Sequence, residues 1–295
     1  MANLKDLKNR IKSVKSTQKI TSAMKMVAAA KLRKAQDNAI KARPYADRMA
    51  RMITSLAAKA DPSTAPRLLV GNGAEDRHLL VVVSADRGLC GGFNGGIIRA
   101  CRREVERLQG EGKTVQLLMV GRKASDALRR EYGGLMIDNL EGIQGTSVAF
   151  ADAESIAATI FGMLDQDKTD CCSILFNRFV SAITQEVTTS SLVPAEVAEA
   201  EADAAEQTAA TAPYEYEPNE EEVLADLLPR NLATQLYTAL LESSASELAA
   251  RMTAMDNATR NAGDLIDRLT MEYNRSRQAA ITTELIEIIS GAEAL

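Results

Sequence analysis

Leu4-Lys-Asp-Leu-Lys-Asn-Arg-Ile-Lys-Ser-Val14 opens the chain with apolar residues at 4, 7, 11 and 14. The stripe resumes at Ala28, Leu32, Ala35, Ala39, Ala42, Ala46, Met49, Ile53 and Leu56, in register across a polar gap at Gln18, Thr21 and Lys25. Every step is three or four residues, and a sustained seven-residue repeat of this kind predicts a coiled coil rather than a globular core. A second stripe near the other end runs Leu241, Ala245, Leu248, Met252, Met255, Thr259, Ala262, Ile266, Leu269 and Tyr273. Two such arms at opposite ends of one chain can pair only if the middle folds back between them. The reading is therefore α/β plus all-α: a long coiled coil of N- and C-terminal helices with a Rossmann-like α/β domain inserted between them.

The parts divide as a first arm at 1–60, an α/β domain at 68–194, an acidic low-complexity insert at 195–212 and a second arm at 213–295. At 1.5 Å per residue, sixty helical residues make a rod of roughly 90 Å. Pro44 predicts a bend near Ala42–Arg43, with helix continuing to about Lys59 before Asp61-Pro-Ser-Thr-Ala-Pro66 stops it. The second arm is expected to start near Glu220, to break at Pro229 and to run to about Ser290. In the middle, Leu79-Leu-Val-Val-Val-Ser84, Val115–Val120 and Cys172–Asn177 read as buried strands, and Thr184–Leu192 as an extended stretch. Helices are expected over Gly96–Gln109, Lys123–Tyr132 and Ala153–Leu164, so strand and helix alternate as in a largely parallel sheet. The insert is Ala, Glu and Asp with little apolar bulk, and cannot offset its ordering entropy by burial.

Charge is unevenly placed along the 295 residues. Residues 1–60 hold 15 Lys or Arg against Asp6, Asp37 and Asp47, a net +12; the whole chain is −5, which leaves −17 for the remainder. Eleven acids and no base lie between Ala195 and Asp226. A basic arm suits an acidic partner, whether nucleic acid, anionic lipid or an acidic protein surface. Nucleic acid usually brings interleaved aromatics, and the arm offers only Tyr45, so an acidic protein fits better. No run approaches the roughly twenty apolar residues that span a bilayer. Charged residues from Lys5 onward argue against a secretory signal. The basic N-terminus keeps the register of the later helix, which marks it as mature structure rather than a transit peptide. Cys90, Cys101, Cys171 and Cys172 lack CxxC spacing, and with one histidine, His78, a zinc site is not expected.

Ser84–Asn94 is a glycine-rich turn after a strand, where a phosphate cradle could lie, but GK[ST] and a clean GxGxxG are both missing. The competing reading is a tight turn in which glycines let backbones cross. Glu284 and Glu287 share a helix face with nothing catalytic beside them, and Ser243, Ser244 and Ser246 have no nearby base. Leu285, Ile286, Ile288, Ile289, Ala292, Ala294 and Leu295 put apolar side chains around most of the last helix, and a helix apolar all round is a buried one. Something other than the chain's own core must then enclose it.

Three stretches resemble the gamma-subunit family of F-type ATP synthases: Leu7–Arg33, Ser84-Ala-Asp-Arg-Gly-Leu-Cys-Gly-Gly-Phe-Asn94, and Ile281-Thr-Thr-Glu-Leu-Ile-Glu-Ile-Ile-Ser-Gly-Ala-Glu-Ala294. Glu217-Pro218 through Leu227-Leu-Pro-Arg230 is similar to the family as well. The resemblance implies an antiparallel coiled coil of both terminal helices inside a hexamer of three alpha and three beta subunits. The α/β domain would lie below, against the epsilon subunit and the membrane ring of c subunits. The implied function is a rotor that couples proton flow to ATP synthesis or hydrolysis at sites on the beta subunits and takes part in regulating both. The chain itself would have no catalytic residue and no cofactor, and would touch the membrane only through the complex. On the family pattern Met24 and Lys25 lie near acidic loops of the beta subunits. Arg251, Gln278, Thr282 and Glu284 fall at contact positions, and Leu285, Ile288 and Leu295 belong to the enclosed tip. Asp86, Arg87, Gly88, Gly91 and Gly92 form the family's motif turn. The insert lacks the cysteines of chloroplast members, so thiol control of that kind is not implied. The expected place is the cytoplasmic face of a bacterial inner membrane, peripherally held. Two other readings remain: a nucleotide-dependent enzyme using the Ser84–Asn94 loop, and a basic coiled-coil module for nucleic acid.

Overall fold

The computed structural model describes residues 4–57, 66–71, 73–143, 148–194 and 220–293. The insert at 195–212, the stop at 61–65 and the stretch 214–218 lie outside the described residues. By internal contact the chain forms two compact units, Met1–Ala30 with Arg251–Leu295, and Lys31–Ala250. Two long helices contribute to both, α1 (Leu4–Ala57) and α6 (Glu220–Glu293).

The unit of residues 31–250 is built on a five-stranded sheet in the order β3-β2-β1-β4-β5. Its strands are β1 (Arg77–Val83), β2 (Thr114–Val120), β3 (Met136–Leu140), β4 (Cys171–Phe179) and β5 (Gln185–Val193). The first four are parallel and β5 is antiparallel to β4. Parallel strands need crossovers, supplied here by α3 (Phe93–Gly110), α4 (Arg122–Tyr132) and α5 (Phe150–Asp165), while α2 is one turn at Arg67–Val70. Alternation along the strands divides the core. Leu80, Val82, Leu117, Met119 and Leu175 face α3 and α4, and bury Ile97, Val105, Leu108 and Leu128. Leu79, Val81, Val83, Leu118, Ile174 and Phe176 face the other way, onto Ile156 and Ile160 of α5 and Leu232, Leu236 and Leu240 of α6. Burial on both faces is why β1 reads as an unbroken Leu-Leu-Val-Val-Val run. Residues Met49 and Ile53 of α1 close a smaller cluster with Leu224 and Leu228.

Two features depart from the sequence reading. The second arm does not break at Pro229: α6 passes through it as one helix, whereas α1 continues beyond Pro44 as the sequence reading expects. A proline in a helix interior costs about 3 kcal/mol. Around Pro229, however, Leu224, Leu228 and Leu232 are all buried, and full burial of a leucine contributes about 1.5–3 kcal/mol each. Packing outweighs the break. The second departure is β3, which the sequence reading passed over; it is an edge strand with Asp138 exposed and polar residues at two of its five positions, so it lacks the apolar run that marks the others.

The last helix is also pinned by polar contacts. Ser246 Oγ donates to the Asn177 carbonyl at 3.1 Å, and half-buried Glu242 receives the Phe179 N–H. Burial pushes the Glu242 carboxyl above its ordinary 4.5, against the pull of Arg43 and Arg178. A carboxyl with a raised folded-state pKa favours the fold most below its unfolded pKa, and that contribution fades as pH rises through the folded value. At the ends of β1 and β2, Gly121 has φ +97, and an added Cβ would sit 2.0 Å from the Ser84 carbonyl oxygen. The buried Ser84 hydroxyl accepts the Ala124 N–H at 3.1 Å, which locks β1 to the start of α4.

Gly121→Ala is expected to destabilise this unit by roughly 3 kcal/mol, from the clash and the positive φ together, measured by urea unfolding. Glu242→Gln is expected to flatten the loss of stability as pH climbs above 4.5, read from thermal melts across pH; an unchanged pH profile would rule Glu242 out as its source.

Candidate functional site

The unit of residues 1–30 and 251–295 is a pair of helices. Lys25 Nζ lies 2.6 Å from Asp256 Oδ1, and the hydroxyls of Thr21 and Thr259 are 2.8 Å apart. One turn further on, a Cβ at Gly263 would meet Gln18 Nε2 at 3.2 Å. Descending numbers on α1 match ascending numbers on α6, so the pair is antiparallel. The two seven-residue stripes therefore meet: Leu7, Thr21, Ala28, Met255, Ala262 and Leu269 are all buried. Two of the three polar residues in the gap of the first stripe, Thr21 and Lys25, meet polar partners on the second helix and bond to them, while Gln18 packs against Gly263.

Past the half-buried Tyr273, Ser276 and Ala280, α6 loses its cover. Every position from Ile281 to Ser290 is exposed, including Leu285, Ile286, Ile288 and Ile289, each at least 50% accessible. Isoleucine and leucine over about half the circumference of an uncovered helix make an unusual surface for water to face. Gln278, Thr282 and Glu284 lie on the same exposed stretch, and the Thr282 hydroxyl bonds back to the Gln278 carbonyl at 2.9 Å. Met24, Lys25 and Arg251 are half-buried beside the seam. Leu295 lies outside the described residues. The structure thus gathers Met24, Lys25 and Arg251 along one length of the helix pair, and Gln278, Thr282, Glu284, Leu285 and Ile288 along another.

The motif turn Asp86–Gly92 belongs to the other unit. Asp86 accepts the backbone N–H groups of Arg122 at 3.2 Å and Gly142 at 3.1 Å, so its carboxylate ties the turn to the amino end of α4 and to the loop after β3. Asn94 Oδ1 takes the Ala85 N–H at 3.0 Å, and its amide reaches Cys90 Sγ at 3.2 Å. Gly91 has φ +56, which suits glycine, while Leu89 is forced to φ +64 and points into solvent. Cys90 and Phe93 are buried with Ala85 against Ala250 of α6. The glycine-rich turn is a structural knot that seats the last helix.

Nothing among the described residues gathers into a metal site. The four thiols are buried; burial pushes Cys101 up to about 12 and holds Cys172 protonated. No helix among the described residues is long and apolar enough to cross a membrane. Sequence reading missed Asp256 and Thr259 as partners of Lys25 and Thr21, and Asp86 and Asn94 as the groups that close the turn.

A three-layer α/β domain whose chain begins and ends in long helices, paired antiparallel at their far ends, defines the class. The comparisons particularise it. The family model described as ATP synthase matches residues 3–295. The ATP synthase gamma chain of Paramagnetospirillum magneticum is 57% identical over 296 residues, covering all of both chains, and that of Paracoccus denitrificans is 54% identical with the same coverage. Among solved structures, a chain of the central stalk and c-ring of the Tetrahymena thermophila mitochondrial ATP synthase is 31% identical, with TM-score 0.61, over 81% of this chain and 99% of that one. A chain from the rotor of the Euglena gracilis mitochondrial ATP synthase has TM-score 0.62 at 18% identity, over 94% of this chain and 98% of that one, a likeness of fold alone. The chain belongs to the ATP synthase gamma-chain family.

Asp86→Ala would orphan two backbone N–H groups, and is expected to cost about 1–3 kcal/mol in urea unfolding. ATP is not expected to shift the melting temperature of either form; a clear upward shift would restore the nucleotide-cradle reading.

Proposed function

We propose that the chain is the central-stalk rotor of a proton-driven ATP synthase. It turns inside a hexamer of three alpha and three beta subunits, and so couples proton flow through a membrane c-ring to ATP synthesis or hydrolysis at sites on the beta subunits. One observation supports this above the others: the antiparallel helix pair continues into an uncovered apolar end, which carries a motif resembling the family's. Such an end is stable in water only when something encloses it. Apolar contact is non-directional and fixes no preferred angle. It therefore suits a bearing better than a static joint.

The mechanism needs no reactive group on this chain. A single lopsided rod within a threefold sleeve makes three different interfaces with three chemically equal sites. Only differential contact of that kind can shift one site's conformational equilibrium relative to the next. In this reading the arms at 1–60 and 213–295 form the rod, and Met24, Lys25, Arg251, Gln278, Thr282, Glu284, Leu285, Ile288 and Leu295 meet the hexamer. The α/β domain at 68–194 meets the epsilon subunit and the c-ring. The motif turn at Asp86, Arg87, Gly88, Gly91 and Gly92 keeps the last helix seated. The chain is held peripherally at the cytoplasmic face of a bacterial inner membrane, through the complex alone, and takes no cofactor.

Removing residues 285–295 is expected to lower ATP-driven proton pumping relative to hydrolysis without abolishing it, measured on inverted membrane vesicles. The isolated chain is expected to hydrolyse no ATP; robust turnover by the purified monomer would overturn the rotor reading.

A further inference from the structure

The polar segment of the helix pair has a feature that the proposed contact list does not explain. Lys25 stands in that list as a cation facing acidic loops of a partner. Yet in the structure its ammonium is already engaged by Asp256 at 2.6 Å, across the seam and 231 positions away in sequence. Asp256 is shared: its other oxygen takes Arg260 at 3.0 Å. The neighbouring layer joins Thr21 to Thr259 at 2.8 Å, and the next sets Gln18 against Gly263. The contrast with the rest of the arm is sharp. Lys8, Lys12, Lys15 and Lys19, on one face at steps of four and three, are exposed, with no ion pair among the described residues.

The pairing is selective for one alignment. Apolar seam residues tolerate a slide of one heptad, because Leu, Ala and Met exchange at modest cost. The polar layers do not. One heptad in either direction would set the Lys25 ammonium against Ala249 or Gly263, neither of which carries a side-chain acceptor. The Thr21 hydroxyl would face Met252 or Ile266. A few polar positions in an apolar seam are the best-attested means of specifying helix alignment. Lys25 holds the Asp256 carboxyl below its ordinary range, as a working pair requires.

We propose that Asp256 is a positioning residue of the hexamer-facing surface: it clamps Lys25 and Arg260, fixes how the two terminal helices face each other, and so sets Met24, Lys25 and Arg251 as one surface. Lys25 acts through this clamp rather than as a free outward cation. The inference rests on the rotor reading for what the surface meets. It goes beyond that reading in assigning Asp256 a role and in turning Lys25 inward.

The test uses the full complex in inverted vesicles, with the ratio of proton pumping to ATP hydrolysis as the readout and co-purification with the hexamer as the check on folding. Lys25→Ala and Asp256→Ala are each expected to lower the ratio by about threefold, the scale of one partly exposed ion pair. The double variant should be no worse than either single one, since both remove the same bond. Asp256→Glu, which keeps an acceptor for both Lys25 and Arg260, should recover most of the ratio. Asp256→Asn serves in place of the alanine if that variant fails to assemble. An impaired Lys25→Ala beside an unaffected Asp256→Ala would overturn the clamp and leave the rotor reading standing, as would an Asp256→Glu variant that assembles yet stays as impaired as Asp256→Ala. If these variants and the removal of residues 285–295 all leave the ratio unchanged, the rotor reading falls with the clamp.

Discussion

The seven-residue apolar repeat at each end of the chain is the constraint on which the rest depends. Two stripes of that period bury each other only side by side, and the bonds from Lys25 to Asp256 and from Thr21 to Thr259 fix their antiparallel sense. An antiparallel pair made from the two ends of one chain requires the middle to leave from one helix and return to the other. The α/β domain meets that requirement: α1 ends before β1, and β5 lies before α6 in the chain.

Helix α6 does two different jobs along its length. Within residues 31–250, Leu232, Leu236 and Leu240 cover one face of the sheet, and Ser246 and Ala250 fasten the helix to β4 and to the motif turn. Beyond residue 251 the same helix turns its apolar stripe to α1, and beyond Ala280 it covers nothing. Proline at 229 survives because the leucines around it, Leu224, Leu228 and Leu232, are buried. The exposed end carries no comparable packing, and its apolar residues serve a surface outside the chain in the rotor reading.

Much of this was legible in sequence because it is periodic. The Leu79–Val83 run predicts a doubly buried strand, and β1 is one. The stripes predict a coiled coil, and even the gap at Gln18, Thr21 and Lys25 was visible. What filled the gap was not. An ion pair between residues 25 and 256 leaves no local pattern, since Asp256 looks like any charge on a helix surface. The glycines of the motif turn were evident, but the roles of Asp86 and Asn94 depend on where Arg122, Gly142 and Ala85 arrive in space. Strand β3 escaped because a short edge strand with polar Asp138 and Asn139 at its centre carries no continuous hydrophobic signal. The contact roles of Met24, Arg251, Gln278, Thr282 and Glu284 come from family resemblance and not from any pattern in the residues themselves.

The central claim is that a turning, asymmetric surface is the working part of this protein, and the most direct measurement watches it turn. A probe fixed to the α/β domain of the chain, within an immobilised hexamer supplied with ATP, is predicted to rotate in one direction and to pause at three orientations per turn. A probe that stays still while the same hexamers hydrolyse ATP at full rate would contradict the account.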